Sequence, residues 1–180
     1  ARLGRRWGIA VQSGTDALTA ALRLLDLPPG ATVAVPAYAC TAPLDAIAVL
    51  GLRPEPVDVD RETLAIALPA VNARAAGGAV IAAHLFGRPA PFDAIRHPGL
   101  IEDCAQTLPS PATGGGVGGH GRFTICSCYG TKLLATGHGG ILAGDDPDDF
   151  SRALDCFRHD QRDHWQPHLH FLMSDVNAAL

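Results

Sequence analysis

The run Ala79-Val80-Ile81-Ala82-Ala83-His84-Leu85 decides the fold. It is apolar without alternation, which is the pattern of a strand covered on both faces. A strand covered twice belongs to a sheet with layers on either side, and such sheets are mostly parallel. Outward from this run, short apolar stretches alternate with helix-like ones. Toward the N-terminus, Thr32-Val33-Ala34-Val35-Pro36 reads as a buried strand ended by a proline, and Pro56-Val57-Asp58-Val59-Asp60 as another. Residues 41–50, closed by Gly51, and residues 69–76, before Gly77-Gly78, read as helices. Toward the C-terminus come a short helix over 92–96 and the strand Gly99-Leu100-Ile101-Glu102-Asp103. Strands over 122–126 and 140–143 follow, and then a helix opened by Asp145-Asp146-Pro147-Asp148-Asp149, whose acids suit the positive helix end. Strands and helices alternating at this spacing predict an α/β layered fold with a mainly parallel sheet.

With 180 residues the chain has the size of one domain with a real core, and neither a repeat nor an internal linker divides it. Hydrophobic residues make up 47% and charged residues 18%, which excludes a disordered chain. The net charge of −4 leaves no basic footprint for nucleic acid. No apolar run reaches the ~18 residues of a membrane helix, and no signal-peptide pattern opens the chain, so a cytoplasmic protein is the expectation. Five cysteines, an odd number without Cys-x-x-Cys spacing, read as reduced thiols, with Cys126 and Cys128 on one strand face. The first residue is not Met and the last ones, Ser174-Asp175-Val176-Asn177-Ala178-Ala179-Leu180, begin a helix, so a piece of a longer polypeptide is expected.

Ser13-Gly14-Thr15-Asp16 precedes a helical pattern with Leu18, Leu22 and Leu25 on one face, and Ser13 with Asp16 resembles a capping box. Such an end offers N–H groups, hydroxyls and a positive dipole to a phosphate; a well-capped helix without a ligand is the simpler reading of the motif alone. In parallel sheets ligands bind beyond the carboxyl ends of the strands. Asp103 stands at such an end, as a functional acid or as a cap, and Gln106 three residues on faces the same way if the chain turns helically there. The glycine-rich stretch over 113–121 lacks the order of a phosphate loop and reads as a flexible surface loop. His159, His164, His168 and His170 near Cys156 do not have the paired spacing of structural zinc, so no metal is expected and a polar, partner-facing segment is.

Of the fourteen basic residues one is a lysine, Lys132, in Cys126-Ser127-Cys128-Tyr129-Gly130-Thr131-Lys132, followed by Thr136-Gly137-His138-Gly139-Gly140. A guanidinium stays charged, whereas a lysine amine can lose its proton and attack a carbonyl. A chain that uses arginine elsewhere and keeps one lysine after a strand makes that amine a candidate nucleophile.

Taken in order, Ser13-Gly14-Thr15-Asp16-Ala17-Leu18, Val35-Pro36-Ala37-Tyr38, Pro56-Val57-Asp58-Val59-Asp60, His84-Leu85-Phe86-Gly87-Arg88-Pro89, Ile101-Glu102-Asp103-Cys104-Ala105-Gln106, Ser127 with Lys132, and Thr136-Gly137-His138-Gly139-Gly140 resemble the pyridoxal 5'-phosphate (PLP) dependent sugar aminotransferases of the DegT/DnrJ/EryC/StrS type. The resemblance implies the three-layer large domain of the type I aminotransferase fold over 1–180, without the family's N-terminal segment and C-terminal small domain. It implies that Lys132 carries PLP as a Schiff base and then moves the proton, and that Asp103 pairs with the pyridine nitrogen. Gln106 would lie near the phenolic oxygen. Gly14, Thr15, Asp16 and Ser127 would hold the phosphate. The implied reaction passes an amino group from an amino acid, with glutamate or glutamine the expected donor, to a nucleotide-linked keto sugar in a homodimer. A PLP-dependent dehydratase, or a non-catalytic scaffold of the same fold, is the alternative. Three positions depart from the family's pattern. Cys40 stands where an aromatic ring usually covers the cofactor, with Tyr38 as a substitute; His138 replaces a glutamate; and His170-Phe171-Leu172-Met173 replaces Asn-Tyr-Arg-Met.

Overall fold

The computed structural model describes residues 3–67, 71, 77–90, 94–108, 117–157 and 167–180. Among them are the strands β1 (Trp7–Val11), β2 (Thr32–Pro36), β3 (Arg53–Val57), β4 (Ala79–Ala83), β5 (Leu100–Asp103), β6 (Phe123–Ser127) and β7 (Gly140–Gly144). They form one sheet in the order β1-β7-β6-β5-β4-β2-β3. Neighbours from β3 through β6 are parallel, whereas β7 runs antiparallel to both β6 and β1. The expected α/β fold with a mainly parallel sheet is therefore found, with a single reversed strand. β6 and β7 are consecutive and antiparallel, so they need no crossover helix.

The uniform hydrophobicity of β4 has a direct explanation. Ala79 and Ile81 face one core while Val80 and Ala82 face another. The first core lies under α1 (Gly14–Leu24), α2 (Ala42–Val49) and α3 (Pro147–Phe157), where Leu18, Leu22, Ile47 and Phe157 meet Val33, Ile101, Phe123, Ile125 and Leu142. The second gathers Ala34, Val57, Val80 and Leu100 with Ile66, Val71 and Ile95. Each of these larger side chains contributes on the order of 1.5–3 kcal/mol by leaving water.

β1 gave no recognisable signal in the sequence. Only Ile9 and Val11 of its five residues are buried, and its partner β7 lies at the far end of the chain. The segment before α4 (Asp175–Ala179) then runs along β1: Gln12 N–H donates to the Phe171 carbonyl at 2.6 Å, and Leu172 bridges to Val11.

Three expectations need correction. The second strand is Arg53–Val57 rather than 56–60. β3 tolerates Pro54 and Pro56 because it is the outermost strand beyond β2, where a missing N–H costs no ladder bond. The segment 95–96 is not helical, and the rest of the helix expected over 92–96 lies partly outside the described residues. The glycine-rich stretch is described from Val117 onward, and there it is buried and clamped rather than a flexible surface loop. Glu102 accepts N–H bonds from Gly118 at 2.7 Å and His120 at 2.8 Å. Arg5 closes the same loop from the other side, donating to the carbonyls of Gly121 and Arg122, both at 2.8 Å. The helix expected over 69–76 and the residues His159 and His164 lie outside the described residues, apart from Val71, which is helical.

Candidate active site

The carboxyl ends of β2, β4 and β5 border a small cleft lined by Pro36, Cys40, Ala83, Asp103, Gln106 and Lys132 among others. Lys132 arrives on the loop joining β6 to β7. The pairing of those strands continues beyond their ends, with Cys128 N–H on the Gly139 carbonyl at 2.8 Å and Gly130 N–H on Gly137 at 3.1 Å. Lys132 N–H closes a turn onto the Tyr129 carbonyl at 2.8 Å. The loop therefore has a defined path, and its lysine is returned to the cleft.

Asp103 is the last residue of β5 and is 7% exposed. Burial pushes its carboxyl above the usual carboxylate range, opposed by the Ala105 N–H bond to Oδ1 and by the charge of Lys132. A buried acid with raised proton affinity, facing an amine across a cleft, is prepared to pair with a cationic nitrogen. Gln106 lines the same cleft, and its Oε1 accepts the Phe86 N–H at 2.9 Å.

The start of α1 and Ser127 meet beside this cleft. Ser13 is the helix N-cap: its Oγ accepts the Asp16 N–H at 3.0 Å, and its O–H donates to Asp16 Oδ2 at 2.7 Å. The reciprocal bond of Asp16 thus goes to the hydroxyl rather than to the main chain. Asp16 N–H is already used by the cap, so the earlier N–H groups of Gly14 and Thr15 are the ones offered to an anion. A Cβ on Gly14 would lie 2.9 Å from the Ser127 Cβ, and one on Gly140 would lie 2.2 Å from the Ser13 carbonyl oxygen. These contacts bring the positive end of α1 and the Ser127 hydroxyl to one place, as an anion site needs.

Of the residues singled out in the sequence, Lys132, Asp103 and Gln106 share the cleft, with Gly14, Thr15, Asp16 and Ser127 at the adjoining helix end. Tyr38 does not line the cleft with them. It is 54% exposed and packs against Phe86, ring centroids 6.3 Å apart. Cys40 lines the cleft together with Ala105 and Asp103, and a thiol offers no ring to stack. His138 is exposed and meets Tyr129 edge-on, ring centroids 5.3 Å apart.

Sequence reasoning missed the pair behind the site. His84 and Glu102 are both buried, with Nε2 and Oε1 2.6 Å apart. Ala90 N–H donates to His84 Nδ1 at 2.9 Å, so Nδ1 carries a lone pair and Nε2 gives its proton to Glu102. Burial alone would push the Glu102 carboxyl up; hydrogen bonds from His84, Gly118 and His120 outweigh it and hold the group low. Cys104 lies in the same cluster, within 4.8 Å of its neighbours' ligand atoms. Both ring nitrogens and both carboxylate oxygens there already have protein partners, and burial pushes the Cys104 thiol far up, so the cluster is closed to a cation. A glutamate inside an otherwise apolar strand was the available signal, since a buried carboxylate requires partners.

The chain belongs to the DegT/DnrJ/EryC1/StrS aminotransferase family, whose profile matches residues 1–180. It is 36% identical over 173 residues to UDP-N-acetyl-3-dehydro-alpha-D-glucosamine 3-aminotransferase of Acidithiobacillus ferrooxidans, covering 91% of this chain and 46% of that one. GDP-perosamine synthase of Escherichia coli is 31% identical over 157 residues, covering 83% of this chain and 43% of that protein. Among solved structures, AtS13 from Actinomadura melliaura superposes with a TM-score of 0.88 at 30% identity, over 99% of this chain and 54% of AtS13. The chain thus spans about half the length of the relatives it matches.

Proposed function

We propose that this chain is the PLP-binding part of a nucleotide-sugar aminotransferase, which moves an amino group from an amino acid, glutamate or glutamine, to a keto sugar in amino-sugar biosynthesis. The observation that carries the reading is the convergence of Lys132, Asp103 and Gln106 on one cleft, beside the α1 N-terminus and Ser127. The relative from Acidithiobacillus ferrooxidans, named for a UDP-linked sugar, supports the substrate class.

The residues fit the cofactor. An amine, a buried acid, an amide and a neighbouring helix N-terminus offer partners for its aldehyde, pyridine nitrogen, phenolic oxygen and phosphate. When bound, PLP supplies an electron sink for the carbanion formed at the substrate carbon. Lys132 would hold it through its amine and would serve as the base that moves the proton between substrate and cofactor carbons. Asp103, whose proton affinity burial has raised, receives the pyridine nitrogen and keeps its proton in place. Ser127 and the Gly14 and Thr15 N–H groups fix the phosphate end. Cys40 and Ala105 line the cleft that would receive the ring, so the stacking contribution would be smaller here than an aromatic residue would give.

The protein acts as a homodimer in this reading. α2 supports it, because Leu44 and Val49 point outward, at 40% and 75% exposure, while Ala46 and Ile47 face the core. A helix apolar on both sides is one that is covered on both sides.

The test is the absorbance spectrum of the full-length protein with PLP, before and after borohydride, with mass mapping of the adduct. The expected result is a fixed adduct on Lys132 and amination of a UDP-linked keto sugar. An adduct elsewhere, or none, overturns the reading.

A further inference from the structure

Phe86 stands out among the described residues for a conformation its own side chain does not explain. It has φ 55° and ψ 31°, in the left-handed region, and its ring is 60% exposed. A bulky residue pays a steric penalty there that glycine does not. An exposed ring gains little packing in return. What the conformation does is turn the main-chain N–H inward, where it meets Gln106 Oε1 at 2.9 Å. An N–H pointed at the amide leaves no choice of orientation: the oxygen must face it, because the NH2 group would place donor against donor. The left-handed Gly87 that follows, at φ 72°, carries the chain back so that Arg88 N–H can close the turn onto the Leu85 carbonyl at 2.9 Å. Gln106 itself lines the cleft with Asp103 and Lys132. With its oxygen engaged by Phe86, the polar group it has left for the cleft is its NH2.

The geometry points to residue 86 as a positioning residue: its main-chain N–H locks the Gln106 amide with the donor toward the cleft, so that the site selects a ligand carrying an acceptor oxygen at that point. This rests on the PLP reading, in which that acceptor is the phenolic oxygen. The lock belongs to the main chain, and the Phe86 ring has no part in it. Two substitutions separate these possibilities. Phe86→Gly removes the ring but keeps the N–H and favours the left-handed conformation. Phe86→Ile keeps bulk and hydrophobicity, but its β-branch opposes that conformation.

The experiment uses the full-length protein and two probes, PLP and 3-deoxypyridoxal phosphate, which lacks the phenolic oxygen. Their affinities are measured by fluorescence quenching, alongside hydrogen exchange of the Phe86 amide in the cofactor-free protein. Wild type is expected to prefer PLP by about tenfold or more, the scale of one hydrogen bond to a charged oxygen. Phe86→Gly should keep that preference, Phe86→Ile should lose most of it, and Gln106→Glu, which turns an acceptor toward the cleft, should abolish or invert it. Exchange at residue 86 should be slow in wild type and in Gln106→Glu, and fast in Gln106→Ala. A Phe86→Gly variant that loses the preference as fully as Phe86→Ile overturns the lock in favour of the ring. Unchanged exchange in Gln106→Ala overturns it as well. Failure of wild type to bind PLP would refute the cofactor reading instead, and the exchange measurement would still decide the lock.

Discussion

Glu102 offers the sharpest test of how the site is held. Its two oxygens receive four donors: His84 Nε2 at 2.6 Å and Gly118 N–H at 2.7 Å on Oε1, His120 N–H at 2.8 Å and Gly121 N–H at 3.4 Å on Oε2. Glu102→Gln preserves the shape but replaces one acceptor with a donor. Whichever way the amide turns, one good N–H bond and one further contact meet a donor instead. At about 1–3 kcal/mol per unsatisfied buried group, with the 3.4 Å contact counted as weak, the loss is about 2–3 kcal/mol. Glu102→Ala strands all the donors and should cost about 3–5 kcal/mol, the scale of breaking a buried pair. Against a total stability of about 5–15 kcal/mol, both are large. The pH dependence fixes the cause. Glu102 titrates below its ordinary value in the folded protein, so its contribution is fully present above the unfolded value near 4.5 and is lost as pH falls through the folded one. The gap between wild type and Glu102→Gln should therefore be widest at neutral pH and narrow progressively below about pH 4.5, where the unfolded carboxyl protonates, until pH passes the lower folded value. Urea denaturation followed by circular dichroism at a series of pH values measures this, with the midpoint shifting and the slope unchanged. A variant within about 0.5 kcal/mol of wild type at pH 7, or a gap that widens in acid, would refute the reasoning.

Other outcomes follow from the same structure. Asp103→Asn should stabilise the cofactor-free protein at neutral pH, since a carboxyl raised by burial costs stability as pH climbs from its unfolded to its folded value; the gain should vanish in acid, and PLP affinity should fall by at least tenfold, as read by thermal melts and cofactor titration. Gly140→Ala puts a Cβ 2.2 Å from the Ser13 carbonyl oxygen, which is main chain and cannot step aside; calorimetry should register a loss of about 1–3 kcal/mol, and inorganic phosphate should protect the variant less than wild type. Lys132→Ala should leave stability within about 0.5 kcal/mol while eliminating the borohydride adduct. In thiol titration with a disulfide reagent, exposed Cys40 should react first; Cys126, buried and pushed up to about 12, and Cys104 should react only on unfolding.

The sheet interior was legible because burial on both faces leaves a continuous apolar run, and β2, β4 and β7 all show one. α1 was legible from its cap and its leucine face. β1 and the true start of β3 were not, for opposite reasons. β1 owes its existence to β7, a partner remote in sequence, and β3 hides behind prolines that only an edge position permits. The chemistry of the cleft was legible in Lys132 and Asp103, residues whose types are costly to place without purpose. Its support was not. The loop over 117–121 has the composition of a mobile connection, and nothing local says that Glu102 and Arg5 grip it from either side. Nor does any pattern announce that Phe86 takes a conformation expected of glycine, because the reason for it is an amide twenty residues away in the chain.

The place of β1 in the sheet also sets an order of assembly. Its residue Trp7 faces Gly144, so among the described strands β1 is the one that waits longest for its partner. At roughly 5–20 residues per second, on the order of ten seconds separate the emergence of Trp-Gly-Ile-Ala-Val from that of β7 on the ribosome. Until then its ladder groups are open to any other strand edge nearby. The central strands can pair meanwhile, and the Ser13 end of α1 reaches its final place only when Gly140 arrives to receive it. The junction of the α1 N-terminus with Gly140 is thus among the last parts of the domain to form during translation, after Asp103 on β5 is already in place.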